Sequence, residues 1–216
     1  MIVYYYVYLC FTFIAALIGI MRYYGIDKAG QVIFYLIVFA LFGEIVATVS
    51  FYKFNERNPV YHFTTLISLF ICICYFATIH NFKKRNALLL LTFLSLIIIE
   101  LININYFDSM RHLNKMTLKL RCIVVAAMSL YSLYILLIND KISDVFRYPH
   151  FWFTILLLFL YPGTYFFLAY IGELYRQNNH AQLATSIQLS INLLSYFGLG
   201  LAFLLYPKNV KNAVEQ

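Results

Sequence analysis

The sequence divides into seven apolar stretches, each about as long as an α-helix that crosses a lipid bilayer. Such a helix needs ~20 residues to span ~30 Å of hydrocarbon. The connectors between the stretches are short and hold most of the charged residues. We therefore predict an all-α polytopic membrane protein, a bundle of seven transmembrane helices that forms one domain over residues 1–216. The predicted spans are residues 2–21, 32–52, 60–80, 87–106, 119–138, 151–172 and 183–206.

Composition and charge indicate lipid as the main partner. Hydrophobic residues make up 63% of the chain and charged residues 12%, against roughly 45–50% and 25% in a soluble domain. The net charge is +7, but Lys and Arg fall almost entirely in the breaks between apolar stretches. There they mark topology and contact lipid headgroups, so we expect no nucleic-acid partner.

The distribution of basic residues gives a preferred orientation. The connectors after odd-numbered spans, with the C-terminal tail, hold nine Lys and Arg, and the other side holds seven. This excess and the compact basic turn at 83–85 favour an external N-terminus and a cytoplasmic C-terminus in the cell (inner) membrane. The fourth connector, with Arg111, Lys115, Lys119 and Arg121, argues for the opposite orientation.

Two carboxylates lie inside predicted spans, Glu44 in the second and Glu100 in the fourth. Ionisable groups within a membrane are costly and normally face the interior of a helix bundle. At a helical rise of 1.5 Å per residue, both lie roughly 10–14 Å from the same membrane face. We therefore expect Glu44 and Glu100 to be near neighbours.

Other polar residues recur at helical spacing and define a candidate cavity. On the third span the polar face consists of His62, Thr65, Ser68 and Cys72, and on the seventh of Thr185, Gln188, Asn192 and Ser195. These groups converge on one half of the membrane, so we predict a polar pocket open to one side that binds a small polar or cationic ligand. Its predicted ligand-binding residues are Glu44, Glu100, His62, Asn103, Gln188 and Asn192. The alternative is that these side chains only join helices through hydrogen bonds.

Small residues and a proline suggest how the helices pack. Gly43 and Ala47 on the second span would let a neighbouring helix approach closely. Pro162 and Gly163 lie halfway along the sixth span, where proline removes a backbone hydrogen bond and kinks a helix. We predict a hinge at these two residues, with a fixed bend as the alternative.

Several chemistries are disfavoured by spacing. Cys72 and Cys74 would lie about 200° apart on a helix, and the five histidines form no His-x-x-x-His pair. We therefore predict no metal site, no cofactor and no catalytic residue. An enzyme that uses Glu44, Glu100 and His62 as acid and base is a further alternative.

Two short segments resemble a known family. Asn58-Pro59-Val-Tyr-His62, and Phe151-Trp152 followed by Tyr161 and Gly163, are similar to small bacterial seven-helix membrane proteins of unassigned function that are often encoded beside sensor histidine kinases. The chain departs from that pattern at Leu66 and Ser68, where the family has an acidic residue, and at Ile155 and Leu156, where it has glycine. The resemblance implies a bacterial inner membrane and a sensory role.

These observations lead to three functional hypotheses. The first is a binding or sensory membrane protein that acts through a partner chain such as a sensor kinase. The second is a proton-coupled transporter of small solutes that uses the same carboxylates as a relay. The third is a scaffold subunit for another membrane protein.

Overall fold

The computed structural model describes residues 2–80, 85–106, 115–138, 145–176 and 181–207. Within these ranges, the side chains of residues 2–3, 115, 165–176 and 181–185 lie outside the description.

Each of the seven apolar stretches is an α-helix, and the described residues contain no strand, which confirms the all-α prediction. The helices are α1 (Ile2–Arg22), α2 (Lys28–Phe54), α3 (Asn58–Ile79), α4 (Arg85–Tyr106), α5 (Lys115–Ile138), α6 (Pro149–Arg176) and α7 (Ala181–Leu204). Short 3-10 helices at Tyr23–Gly25 and Val145–Arg147 precede α2 and α6. The predicted bounds differ from the observed ones by only a few residues, because the apolar runs themselves are clearly delimited.

Six helical segments in the described part of the chain are long and apolar enough to cross a membrane. They are Tyr4–Gly25, Lys28–Phe54, Asn58–Ile79, Arg85–Tyr106, Met116–Ile138 and Ser186–Leu204. The side chains of α6 are described only through Thr164, and that stretch is shorter than a membrane-spanning helix. Length and composition are therefore those of a membrane protein.

The chain forms two compact units, which are described separately below. The middle unit is Lys28–Val124, and the terminal unit combines Met1–Asp27 with Val125–Gln216. The single domain of the sequence analysis remains a prediction.

In the middle unit, α2 and α3 are antiparallel and approach closely at a glycine. A Cβ atom on Gly43 would lie 2.7 Å from the Thr64 Cγ2 atom, and Ala47 one turn later is fully buried. The polar face predicted on α3 is its buried face, because His62, Thr65, Ser68 and Cys72 are all buried. Small residues on α2 therefore bring it against a helix whose interior face is polar.

In the terminal unit, α7 packs against both α1 and α6. The Tyr8 and Tyr196 rings lie 5.7 Å apart, and further along both helices the Arg22 guanidinium donates to the Leu204 carbonyl at 2.8 Å. Thus α1 and α7 run in the same direction. A Cβ atom on Gly198 would lie 2.5 Å from a methyl carbon of Leu156, so α6 and α7 are also tightly packed.

The close approach at Gly43 yields a test of the α2–α3 packing. We expect Gly43→Ala to lower stability by about 1–3 kcal/mol, because the new methyl group overlaps the Thr64 Cγ2 atom. Thr64→Ser removes that carbon, so the double variant should recover most of the loss. The measurement is the melting temperature of the purified protein in detergent. Gly25→Ala is the control, since nothing lies within 4 Å of a Cβ atom there; equal effects at Gly43 and Gly25 would contradict this packing.

Candidate functional site

The candidate site is a buried cluster of polar side chains in the middle unit, near the start of α3, the end of α4 and the start of α5. His62 and Asn103 are fully buried, Glu100 is 5% exposed and Thr117 is 1% exposed. Counted along the helices, His62 and Glu100 each lie roughly 6–9 Å from the helix end. The cluster is therefore enclosed, yet only one or two helical turns from the ends of α3 and α4.

Glu100 is the acceptor on which this cluster converges. The His62 Nδ1 atom lies 2.7 Å from Glu100 Oε1, and the Thr117 hydroxyl donates to Glu100 Oε2 at 2.5 Å. The Asn103 amide donates in turn to the Thr117 oxygen at 3.5 Å. When Glu100 is ionised it only accepts hydrogen bonds, and in that state the imidazole would carry its proton on Nδ1. Partners on both carboxylate oxygens would then satisfy a charge that is costly to bury alone.

Arg121 extends the polar contacts deeper along α3. It lies one turn after Thr117 on the same face of α5, and its guanidinium donates to the Ser68 hydroxyl at 3.0 Å. Ser68 donates to the Thr65 carbonyl at 2.9 Å. The polar face of α3 is thus matched by donors and acceptors on α4 and α5.

Glu44 occupies a different environment from Glu100. It is partly buried, and the Tyr61 hydroxyl donates to its Oε2 atom at 3.3 Å. Tyr61 and His62 are consecutive on α3, so their side chains point about 100° apart around the helix. The two carboxylates therefore contact different faces of α3. The helical rise predicted the depth of each carboxylate along its helix, but not which face of α3 each one would contact.

The other predicted ligand-binding residues, Gln188 and Asn192, belong to the terminal unit. Both are partly exposed. The Thr164 hydroxyl on α6 lies 3.1 Å from Asn192 Oδ1. The described contacts therefore bring together His62, Glu100 and Asn103, whereas Asn192 joins α7 to α6.

The proline and glycine of α6 lie inside a continuous helix. A Cβ atom on Gly163 would be 3.3 Å from the Ile191 Cγ2 atom, and Thr164 donates to the Leu160 carbonyl at 2.6 Å. Gly163 thus permits close packing of α6 on α7. The hinge at Pro162 and Gly163 remains a prediction.

A second polar cluster, which sequence analysis missed, joins three helix ends of the terminal unit. The His150 Nε2 atom lies 2.9 Å from Asp27 Oδ2, and the Tyr206 hydroxyl donates to Asp27 Oδ1 at 2.8 Å. Asp27 lies in the connector after α1, beyond the 3-10 helix at Tyr23–Gly25, whereas His150 is at the start of α6 and Tyr206 is just after α7. Polar residues at helix ends are ordinary, so no signal in the sequence distinguished them.

Tyr148 reports on the electrostatics of this second cluster. Its ring packs edge-on against His150, with centroids 5.2 Å apart. Burial, and then the negative charge of Asp27, raise the pKa of Tyr148 to about 12. Both causes disfavour tyrosinate, so the side chain stays neutral in an environment that already contains a carboxylate.

Metal chemistry gains no support from these contacts. Within the described ranges, His, Cys, Asp and Glu side chains nowhere form a group of three or more that could hold a metal ion. Both clusters instead contain a carboxylate, an imidazole and a hydroxyl, and the first also contains the amide of Asn103.

Comparisons with known protein families, with curated proteins and with solved structures found no match to this chain. The resemblance noted in the sequence therefore remains a prediction.

The raised pKa of Tyr148 yields a test of the second cluster. Asp27→Asn should lower the pKa of Tyr148 from about 12, but not to the usual value, because burial is the larger cause. The measurement is an ultraviolet pH titration of each protein, with the spectrum of the matching Tyr148→Phe variant subtracted. The pKa of Tyr148 in the folded protein lies above the unfolded value of ~10. The contribution of Tyr148 to stability is therefore complete below about pH 10 and is lost as the pH rises toward 12. An unchanged pKa in Asp27→Asn would contradict the assignment.

Proposed function

We propose that this chain is an integral membrane protein of seven transmembrane helices that senses protons through the buried His62–Glu100 pair. The observation that carries the proposal is that both Glu100 oxygens already have hydrogen-bond partners, the His62 Nδ1 atom and the Thr117 hydroxyl. A larger ligand would have to displace these donors from an enclosed site. A proton is the cationic ligand that can bind there without displacing a helix.

The count of seven spans is supported by helix direction in the terminal unit. Because successive spans alternate in direction, two spans that run the same way are separated by an odd number of others. The contacts of α1 with α7 run in the same direction along both helices, as first and seventh spans require. Leu156 meets Gly198 and Gly163 meets Ile191, so α6 is antiparallel to α7, as the sixth and seventh spans should be.

The hydrogen-bond chain explains how one proton could change the structure. With Glu100 ionised, Thr117 and His62 donate to it, and Asn103 donates to the Thr117 oxygen. Protonation of Glu100 converts one acceptor oxygen into a donor, so at least one of these bonds must rearrange. The rearranged bonds link α3, α4 and α5, so the change alters how three helices are joined.

Signalling would pass through a second protein. The partner expected from the sequence resemblance is a membrane protein such as a sensor kinase, in a bacterial inner membrane with the C-terminus in the cytoplasm. In that assembly, the partner would detect the change in how α3, α4 and α5 are joined when a proton binds.

The proposal predicts how stability depends on pH. The melting temperature of wild type should change with pH, because gain or loss of a proton at the pair changes which of its hydrogen bonds can form. Glu100→Gln should weaken this dependence, because the amide cannot exchange the proton. The melting temperature changes by about 2–4 °C per kcal/mol, so loss of the hydrogen bond between His62 and Glu100 should lower it by several degrees. The measurement is the melting temperature of the full chain in detergent from about pH 5 to about pH 9, the range in which imidazole normally titrates.

Glu44→Gln is the matched control, because it replaces a partly buried carboxylate on the neighbouring helix. It should retain the wild-type pH dependence. Curves of the same shape for wild type and Glu100→Gln would contradict proton binding at this pair and favour the scaffold hypothesis.

A proton-coupled transporter is the second candidate. It is favoured by the contact between Glu100 and His62, since proton relays in transporters use connected Asp, Glu and His side chains. Solute uptake into liposomes that depends on a pH gradient, and is lost in Glu100→Gln, would support transport over sensing.

A further inference from the structure

The cluster of Asp27, His150 and Tyr206 has a geometry suited to holding helix ends together. The carboxylate of Asp27 receives a donor on each oxygen, and the Tyr206 hydroxyl also lies 3.4 Å from His150 Nε2. The side chain of His150 is 1% exposed, whereas that of Asp27 is 37% exposed. One carboxylate therefore joins two buried donors and still contacts solvent.

We propose that these three residues form a proton-binding clasp that fastens the end of α7 to the start of α6 and to the connector that follows α1. A proton on His150 closes the clasp, because the imidazolium then makes a charge-assisted hydrogen bond to Asp27. Loss of that proton leaves a neutral donor and a weaker bond. The clasp uses none of the residues of the His62–Glu100 pair, so it is independent of the proposed function.

Asp27, His150 and Tyr206 can each carry a proton, and ordinary side-chain chemistry indicates which of them gains or loses one near neutral pH. Tyr206 donates to Asp27 at 2.8 Å, and the nearby Tyr148 has its pKa raised to about 12, so it stays neutral near neutrality. Imidazole is the side chain that ordinarily titrates there. His150 is therefore the group that changes charge within the clasp.

Basic residues near Asp27 and His150 in the chain disfavour a cation at His150, so Asp27 must offset them. The Arg22 guanidinium, on α1, is engaged by the Leu204 carbonyl at the end of α7. Lys28, which follows Asp27 in the chain, and Arg147, which precedes Tyr148, are both exposed. Asp27 is the described carboxylate in contact with the imidazole, and it is the partner that stabilises the protonated form.

Hydrogen exchange at the end of α7 is the direct test. Its last turn includes the bond from the Leu205 amide to the Leu201 carbonyl at 2.9 Å, adjacent to Tyr206. In the full wild-type chain, we expect exchange there, corrected for intrinsic rates, to be about fivefold slower near pH 6 than near pH 8.5. A factor of about this size is expected when a hydrogen bond that already has one charged partner gains a second.

Two variants separate the proton from the bond. His150→Gln keeps an N–H donor but cannot titrate, so the pH dependence at the end of α7 should disappear. His62→Gln removes the imidazole of the other cluster and should leave that dependence unchanged. If His150→Gln keeps the wild-type pH dependence, the clasp is not proton-linked. If EDTA speeds exchange in wild type as much as high pH does, the three residues hold a metal ion and the proposal is overturned.

Discussion

A buried carboxylate in an apolar helix must find donors, and Glu100 meets this requirement through two other helices. His62 on α3 and Thr117 on α5 both contact it. Each helix of this trio is otherwise rich in apolar side chains that lipid solvates as well as protein does, so apolar contacts alone would fix its rotation poorly. The hydrogen bonds to Glu100 set which faces of α3, α4 and α5 turn inward. The buried polar face of α3 follows from that constraint.

The terminal unit is held differently, by close backbone approach and by contacts at helix ends. Gly198 and Gly200 let α7 approach α6 and α1, respectively, at distances that a larger side chain would prevent. The Arg22 contact with Leu204 satisfies a carbonyl at the helix terminus, where intrahelical donors are lacking. Steric fit therefore determines the separation of these helices, while Asp27, His150 and Tyr206 determine where their ends meet.

Helix positions were predictable because spans of ~20 apolar residues are set by bilayer thickness. Glu100, His62 and Asn103 were also recognisable, since a polar residue inside such a span is unusual.

Thr117 was missed because it lies in a basic connector where polar residues are expected. The bond between Asp27 and Tyr206 joins residues 179 positions apart, and periodicity carries no information on such a pairing. Glu44 shows the remaining limit: helical rise predicted its depth, but rotation about α3 determined its neighbour.

The central claim is that Glu100 exchanges a proton within its hydrogen-bonded cluster. Infrared difference spectroscopy tests this most directly, because a protonated carboxyl has a carbonyl stretch that a carboxylate lacks. On acidification we predict such a band in wild type and in Glu44→Gln, and its loss in Glu100→Gln. If wild type and Glu100→Gln give the same spectrum, Glu100 does not take up the proton, and the buried cluster is a structural link between helices.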